Sequence, residues 1–227
     1  MFQHQGIWLP DGEKHFPDWM TKNGEVIDGK GTYQIKKYRA AMQYMGYPKL
    51  RVAVDVGAHV GLWAMQMITN FDIVHCFEPV EAFRDCFKRN LPVGPSHGER
   101  AECLLYPYAL GAGRGRVSMK IPDLDGGIDT GGTHVGGEGD IEMRTLDEFD
   151  FNDVDFLKID CEGYEHHVIA GARETLIRCR PCVIVEQKPH KLGPNFGIKG
   201  TPAVDMLRAL GAEVRREISG DYIMTWS

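Results

Sequence analysis

The sequence predicts an α/β fold, in which helices cover both faces of a mostly parallel sheet that ends in an antiparallel hairpin. Segments typical of strands and of helices alternate from Leu50 onward. Two short runs rich in Val and Ile, VDFLKID (154–160) and PCVIVEQ (181–187), are typical of parallel strands that are buried on both faces. The final segment, EVRREISGDYIMTWS (213–227), predicts two strands joined by a turn at SGD.

The other core elements follow from the same alternation. The first strand is LRVAVDV (50–56), and a glycine-containing loop leads from it into a helix at GLWAMQMITN (61–70). The remaining predicted elements, in chain order, are the strand DIVHCFEP (72–79), the helix EAFRDCFKRNL (81–91), the strand AECLLYPYAL (101–110), the helix EHHVIAGARETLIRC (165–179) and the helix TPAVDMLRALGA (201–212).

Two regions lie outside this alternation. Residues 1–48 predict an arm rich in aromatic residues, Pro and Gly, with one helix between Thr32 and Met45, packed on a main domain at 49–227. Residues 111–140 are rich in Gly and show no helical period, which predicts a flexible flap near the site or a simple surface excursion. Within this region RVSMKI and IEMRTL are able to pair as strands.

Composition narrows the class of partner. The chain has 227 residues, a hydrophobic fraction of 43% and a formal net charge of -6. Because there is no broad basic field, we expect neither a nucleic-acid partner nor an anionic membrane surface. The sequence shows no apolar run long enough to span a bilayer and no secretory leader, so we expect a cytoplasmic protein.

The pair Cys179 and Cys182 joins a predicted helix to a strand and lacks a second pair, which argues against a redox or zinc site.

The loop after the first strand is the first candidate site. In VDVGAHVG (54–61) the strand ends at Asp55, and Gly57 and Gly61 allow the backbone to turn tightly beside a ligand. His59 occupies the position of the middle glycine in a dinucleotide loop, which counts against NAD or FAD. Glu78 ends the second strand, where a carboxylate can accept both hydroxyls of a ribose. The loop thus favours a ligand that has a ribose and an ammonium group, the latter near Asp55, but no pyrophosphate, and S-adenosylmethionine is such a ligand. The alternative is that this segment binds no ligand and is a tight turn beside a solvated Glu.

Several motifs together identify the sequence as similar to a known family. VDVGAHVG, HCFEP, YAL, LDEF, VDFLKIDCEGYEHHVIAGA and RPCVIVE resemble the FkbM family of S-adenosylmethionine-dependent methyltransferases, over about residues 52–186. The resemblance implies a Rossmann-like class I methyltransferase sheet and methylation of hydroxyl groups, often on sugars or other small molecules. It implies that the cofactor is held by Asp55, Gly57, Ala58, His59, Gly61, Glu78, Pro79, Tyr108, Ala109 and Asp160.

The fourth strand offers the candidates for catalysis. Methyl transfer to a hydroxyl requires alignment of the acceptor and benefits from a base, and KIDCEGYEHH places Asp160 where cofactor and acceptor meet. Asp160 alternatively caps the next helix. Glu162 and Glu165 are further candidates to orient the acceptor; alternatively, they lie at the helix N-terminus, where negative charge is favourable. His166 or the flap residue His134 is a candidate base. Lys158 shares the strand face of Asp160, and a buried lysine there needs Asp55 or Asp160 as its partner.

Two other features are weaker candidates. Asp160, Glu186 and Gln187 offer oxygen ligands for Mg²⁺, but the resembled family does not require a metal, so we do not favour one. Trp63 and the aromatic residues of the arm either stack on a ligand or pack in the core.

The sequence therefore predicts an S-adenosylmethionine-dependent O-methyltransferase that acts on a hydroxyl of a sugar, glycan or other small molecule. Two alternatives are a nicotinamide-dependent oxidoreductase and a catalytically inactive cofactor-binding module.

Overall fold

The computed structural model describes residues 1–46, 50–94, 101–188 and 196–226. The boundary predicted at 48/49 lies outside these ranges. The N-terminal arm forms two small hairpins and two helices rather than one helix alone. Its elements are β1 (Phe2–His4), β2 (Ile7–Leu9), α1 (His15–Asn23), β3 (Val26–Ile27), β4 (Lys30–Gly31) and α2 (Ile35–Met42).

The first half of the core alternates strands and helices, as predicted. Its elements are β5 (Leu50–Val56), α3 (Ala64–Met67), β6 (Phe71–Phe77), α4 (Glu81–Asn90), β7 (Glu102–Tyr106) and β8 (Ala109–Leu110). The strand predicted over 101–110 is wrong in one respect, because it is two strands that belong to two different sheets. β7 pairs with β6, whereas β8 leaves the central sheet at Pro107 and pairs with a later strand.

The glycine-rich segment contains strands rather than a long loop without regular structure. It holds β9 (Gly115–Lys120), β10 (Asp123–Leu124), β11 (Gly127–Ile128) and the first part of β12 (His134–Arg144). β12 pairs with both β8 and β9, and Ile141 lies opposite Val117, so RVSMKI and IEMRTL do pair. The prediction that residues 111–140 form a flap without regular structure is therefore wrong.

The second half of the core completes the sheet. Its elements are β13 (Val154–Ile159), α5 (Glu165–Ala170), α6 (Arg173–Cys179), β14 (Cys182–Glu186), α7 (Pro202–Ala209), β15 (Ala212–Ile218) and β16 (Asp221–Trp226). The helix predicted over 165–179 is broken at Gly171, where a Cβ atom would lie 2.0 Å from the backbone oxygen of Gly111. This close approach explains why the chain needs glycine there.

The central sheet has the strand order β15-β16-β14-β13-β5-β6-β7. Five strands, β14 to β7 in that order, are parallel, and β16 is antiparallel to both of its neighbours. The predicted C-terminal hairpin and the mostly parallel sheet are confirmed. Chain order reverses between β5 and β13, because β6 and β7 extend from one side of β5 and β13 pairs on the other. That reversal sets the expected position of a ligand.

Apolar residues alternate along the strands and pack against helices on both faces. On one face Ala53, Phe156 and Ile184 belong to a buried cluster with Trp63 and Phe87, next to α2, α3 and α4. On the other face Val54, Leu157 and Val183 join residues of α5, α6 and α7, including Val168, Leu176 and Val204. Each Val, Leu, Ile or Phe side chain in these clusters contributes about 1.5–3 kcal/mol when it is fully buried. Within the described ranges no helix combines the length and the apolarity needed to cross a membrane.

Candidate functional site

A cleft opens at the carboxyl ends of β5, β6 and β13, where chain order reverses. Its empty volume is about 880 Å³, part of which is open to solvent. Ligand cavities typically measure about 300–1,000 Å³. Four regions of the chain line it: the arm (Phe16, Tyr33), the loop after β5 (Val56–His59, Leu62, Trp63), the end of β6 with the segment to β8 (Phe77–Pro79, Phe83, Tyr108–Leu110), and the glycine-rich segment with the end of β13 (Met119, Thr130, Gly131, Thr133, Val135, Lys158, Asp160–Glu162, Tyr164).

The loop after β5 turns as the sequence predicts, and its glycines are also needed for close contacts within the protein. Gly57 has a φ of +78° and Gly61 a φ of +90°, in the region that favours glycine. A Cβ atom on Gly57 would lie 2.0 Å from the backbone oxygen of Asp160, and one on Gly61 would lie 2.9 Å from the Phe87 ring. Both glycines are thus required by contacts within the protein. The N–H groups of Gly57 and Ala58 donate to the carbonyl of Phe77, each at 3.1 Å, which fixes the loop on β6.

Glu78 ends β6 and lies in the cleft wall with only 4% of its surface exposed. Its Oε2 accepts the backbone N–H of His59 and its Oε1 accepts that of Val80, both at 2.8 Å. Burial raises the pKa of Glu78 to about 7, against the opposing effect of these two hydrogen bonds. A carboxylate has about four lone-pair sites, so both oxygens retain acceptor capacity toward the cleft. The neighbouring Pro79 also lines the cleft.

His59 is held in one orientation by the arm and the glycine-rich segment. Its backbone has a φ of +51°, and its ring lies 4.7 Å from that of Phe16 and 4.4 Å from that of Phe83. Nε2 is 2.9 Å from Oγ1 of Thr130, whose hydroxyl donates to the carboxylate of Glu13. Thr130 must therefore accept from His59, which makes His59 the Nε2–H tautomer. Burial lowers the pKa of His59 to about 3, so the ring is neutral.

Asp55 is not among the residues that line the cleft, and its predicted contact with a cofactor ammonium group stays a prediction. The residue is fully buried, and its Oδ1 lies 3.1 Å from Nζ of Lys158. Burial raises the pKa of Asp55, and the Lys158 ammonium opposes that shift. Of the two partners predicted for Lys158, Asp55 is the nearer, since Asp160 Oδ2 is 4.0 Å away. The side chain that reaches the cleft is that of Lys158, not that of Asp55.

Lys158 connects the ends of β5 and β13. Its ammonium group donates to the backbone carbonyl of Gly57 at 3.1 Å and lies 5.7 Å from the centre of the Trp63 ring. Burial alone would lower the pKa of Lys158, but the charges of Asp55 and Asp160 outweigh that effect and raise it. Lys158 therefore remains a cation although it is almost completely buried.

Asp160 and Glu162 are the catalytic candidates that the structure places in the cleft. Asp160 follows β13, and its N–H donates to the carbonyl of Val56 at 3.2 Å. The alternative role of a helix cap is not observed, because α5 begins at Glu165 and Tyr164 precedes it without a side-chain cap. Glu162 is buried, lines the cleft and has a φ of +56°, a conformation that non-glycine residues rarely adopt.

Glu165 lies outside the cleft lining and has a structural role. It is 1% exposed, and its Oε1 accepts the N–H groups of Cys161 at 3.0 Å and Gly163 at 2.9 Å. Its Oε2 accepts from the amide of Gln187 at 3.2 Å. Burial raises the pKa of Glu165 to about 7. The alternative of a residue at the helix N-terminus therefore describes it better than contact with an acceptor.

The two histidines proposed as bases also lie outside the cleft lining. His134 begins β12, and its neighbours Thr133 and Val135 line the cleft, so the alternation of a strand turns His134 away. Its Nδ1 donates to the carbonyl of Gly132 at 2.9 Å. His166 lies on α5 with its ring 4.0 Å from that of His167. Burial lowers the pKa of His166, but no part of the cleft is formed by it.

The predicted oxygen-ligand set changes in the structure. Ligand oxygens of Asp160, Glu162 and Glu186 lie within 4.8 Å of one another. The amide of Gln187 is engaged within the protein: it donates to Glu165 and to the carbonyl of Glu186, and it accepts from the N–H of Ala203. Two ammonium groups already face these carboxylates: Lys188 forms an ion pair with Glu186, and Lys158 lies near Asp160. That charge balance disfavours an additional divalent cation.

Tyr108 and Ala109 line the cleft as the resemblance implies, and the Arg144 guanidinium lies 4.0 Å from the centre of the Tyr108 ring. Trp63 does both things that the sequence left open: it lines the cleft, and it packs in the core with its indole N–H donating to Gln34 at 3.2 Å. Tyr33 is one of the aromatic residues of the arm, and it lines the cleft. Sequence analysis missed the contribution of Thr130, whose only signal was its position in the glycine-rich segment.

The strand order, with its reversed strand and a cleft at the reversal, defines a class I methyltransferase fold. The family described as the methyltransferase FkbM domain matches residues 55–216. The chain belongs to the FkbM methyltransferase family.

Three solved structures are similar to this chain at low sequence identity. The structure of methyltransferase FkbM from Methylobacillus flagellatus KT is 13% identical, with a TM-score of 0.50 over 82% of this chain; the chain covers 45% of that protein. A precorrin 8W decarboxylase from Methanobacterium thermoautotrophicum is 15% identical, with a TM-score of 0.48 over 87% of this chain and 92% of that one. A precorrin-6y C5,15-methyltransferase from Geobacter metallireducens GS-15 is 11% identical, with a TM-score of 0.48 over 98% and 99%. No curated protein matches the sequence.

Proposed function

We propose that this protein is an S-adenosylmethionine-dependent O-methyltransferase that acts on a hydroxyl group of a sugar, glycan or other small molecule. The observation that carries the proposal is Glu78, a buried carboxylate in the cleft wall at the end of β6. A carboxylate at this position accepts the two hydroxyls of a ribose. The family membership supports methyl transfer as the reaction.

The residues around Glu78 fit an adenosyl cofactor. Phe77, Pro79 and Phe83 provide apolar surface beside the carboxylate, and Tyr108 adds an aromatic face. The same carboxylate already holds the N–H groups of His59 and Val80, so its position is fixed before a ligand arrives. When bound, S-adenosylmethionine supplies an electrophilic methyl group, which leaves the protein to orient the acceptor and to accept a proton.

Asp160 and Glu162 are the carboxylates suited to that task. Both line the cleft at the end of β13, on the opposite side of β5 from Glu78. A carboxylate that accepts the hydroxyl proton contributes about 10²–10⁴-fold to such a reaction. Nζ of Lys158 lies 4.0 Å from Oδ2 of Asp160, so a cation faces the carboxylate that would accept the proton.

The two alternative functions, a nicotinamide-dependent oxidoreductase and a catalytically inactive cofactor-binding module, have less support. A dinucleotide pyrophosphate needs close approach to the loop after β5, but the His59 ring fills that position between Phe16 and Phe83. A binding module without turnover would not need both Asp160 and Glu162 in the cleft.

Calorimetry and a transfer assay test the proposal together. We expect the protein to bind S-adenosylhomocysteine and not NADH, and to transfer labelled methyl from S-adenosylmethionine to a member of a panel of polyols, sugars and phenols. Asp160→Asn should reduce transfer by about 10²–10⁴-fold and leave the affinity for S-adenosylhomocysteine within a few fold. Binding of NADH alone would instead identify an oxidoreductase, and cofactor binding without transfer to any acceptor would favour the inactive module.

A further inference from the structure

We propose that Lys158 binds the carboxylate of the cofactor's amino-acid tail. This inference rests on the proposed function, because it assumes that an adenosyl amino acid occupies the cleft. It assigns to Lys158 a contact with the ligand in addition to its ion pair with Asp55.

The ammonium group of Lys158 has one more donor than its partners in the protein use. A lysine ammonium has three N–H groups. One donates to the carbonyl oxygen of Gly57 at 3.1 Å, and the ammonium group forms an ion pair with Asp55, whose Oδ1 lies 3.1 Å from Nζ. The nearest oxygen of Asp160 is 4.0 Å away, which is beyond hydrogen-bond distance. Throughout the part of the chain that the structure describes, the third N–H has no acceptor at bonding distance, and Lys158 lines the cleft.

The position of Lys158 suits the tail rather than the adenosine. Glu78, the ribose acceptor, ends β6, and Lys158 lies on β13, with β5 between them. Two strand spacings separate these residues by roughly 10 Å. The ribose, the thioether and the amino-acid chain of an adenosyl amino acid can bridge that span. A ligand held by Glu78 at its sugar thus extends over the loop at Gly57 toward Lys158.

Charge identifies which group of the tail Lys158 contacts. An ammonium group donates only, so it binds the carboxylate and repels the ligand's own ammonium. Asp55 then acts through Lys158: it holds the lysine as a buried cation and does not contact the cofactor. A charge-assisted hydrogen bond in a buried site is among the stronger ones in proteins.

The test compares two ligands that differ in the carboxylate only. These are S-adenosylhomocysteine and its aminopropyl analogue, which keeps the thioether and the amine. We expect the unaltered protein to prefer S-adenosylhomocysteine on the order of tenfold to a hundredfold, and Lys158→Met to lose that preference while it still binds the analogue. The measurement is calorimetric affinity for both compounds.

Two controls separate this role from a loss of stability. Asp55→Asn combined with Lys158→Met removes both charges, so that no unpaired carboxylate remains buried, and it should lose the preference as well. Lys37→Met breaks another buried ion pair, with Asp221, outside the cleft lining, and it should retain the preference. Equal preference in the unaltered protein and the Lys158 variants would overturn the inference alone. Binding of neither compound by the unaltered protein would contradict the proposed function itself.

Discussion

Glu78 accepts the backbone N–H of His59 at 2.8 Å, which joins the end of β6 to the loop after β5. The loop residue is thus positioned by the same carboxylate that faces the cleft. Because Val80 donates to the second oxygen of Glu78, the carboxylate has two fixed donors and little freedom to rotate. Cofactor affinity should therefore depend on the protonation of this one group.

The affinity for S-adenosylhomocysteine should rise with pH through about 7. Burial raises the pKa of Glu78 to about 7, and the ionised form accepts both ribose hydroxyls, whereas the protonated form has one fewer acceptor. Between pH 6 and pH 8 the ionised fraction rises about tenfold, and the affinity should follow it. Glu78→Gln should bind more weakly and lose the pH dependence. Calorimetry over this pH range provides the measurement.

Glu165→Gln is the matched control for that titration. Burial raises the pKa of Glu165 to about 7 as well, but Glu165 lies outside the cleft lining. Between about pH 4.5 and pH 7, Glu78 and Glu165 hold a proton in the folded protein that they have lost in the unfolded chain. Their contribution to the free energy of unfolding is therefore greatest at low pH and decreases as the pH rises through this range. The Glu165→Gln substitution should change this stability profile and leave the pH dependence of binding intact. If the substitution abolished the binding dependence too, the assignment to Glu78 would be incorrect.

The sequence was sufficient to locate those site residues that lie at the ends of strands. Glu78 and Asp160 each follow a run of apolar residues, and parallel strands bring such positions to one edge of a sheet. Asp55 follows the same rule and still lies outside the cleft wall. Strand pairing sets Lys158 opposite Asp55 in register, and the lysine, although buried, is the residue of the two that lines the cleft. That outcome depends on the partner strand, which lies about a hundred residues later in the chain.

Contacts between distant segments explain what the sequence did not predict. Glu13 of the arm accepts hydrogen bonds from the N–H and the hydroxyl of Thr130, across 117 positions. The arm consequently closes against the glycine-rich segment, which forms strands because β12 finds partners in β8 and β9. Gly content and missing helical period predict a loop there, since neither property reveals which strands will pair.

Gly57→Ala should destabilise the protein by more than about 3 kcal/mol, because the new Cβ would lie 2.0 Å from the backbone oxygen of Asp160 and the φ is +78°. Two matched glycines separate these effects. Gly29 has a φ of +76° with nothing within 4 Å, so Gly29→Ala should cost about 1 kcal/mol from backbone strain alone. Gly113 has neither feature, and Gly113→Ala should change stability by less than about 0.5 kcal/mol. Urea unfolding measures all three; equal losses for Gly57 and Gly29 would refute the close approach.

His59 is the residue through which acid should destabilise the cleft. Burial lowers its pKa to about 3, so the unfolded chain, in which the pKa is about 6.5, binds a proton that the folded protein excludes. Stability from His59 is therefore present above about pH 6.5 and lost as pH falls toward 3.

His59→Asn should remove up to about 2 kcal/mol of the difference in unfolding free energy between pH 7 and pH 5. The physical reason is that asparagine does not titrate, whereas protonation of His59 requires a second N–H beside a ring packed against Phe16 and Phe83. Glu78 and Glu165 shift stability in the opposite direction over this range, so the comparison is between the variant and the unaltered protein at each pH. Urea unfolding supplies the free energies, and nitrogen NMR of the ring identifies the Nε2–H tautomer directly. A His59 ring that titrates near pH 6.5 in the folded protein would contradict both the buried, neutral state and the hydrogen bond to Thr130.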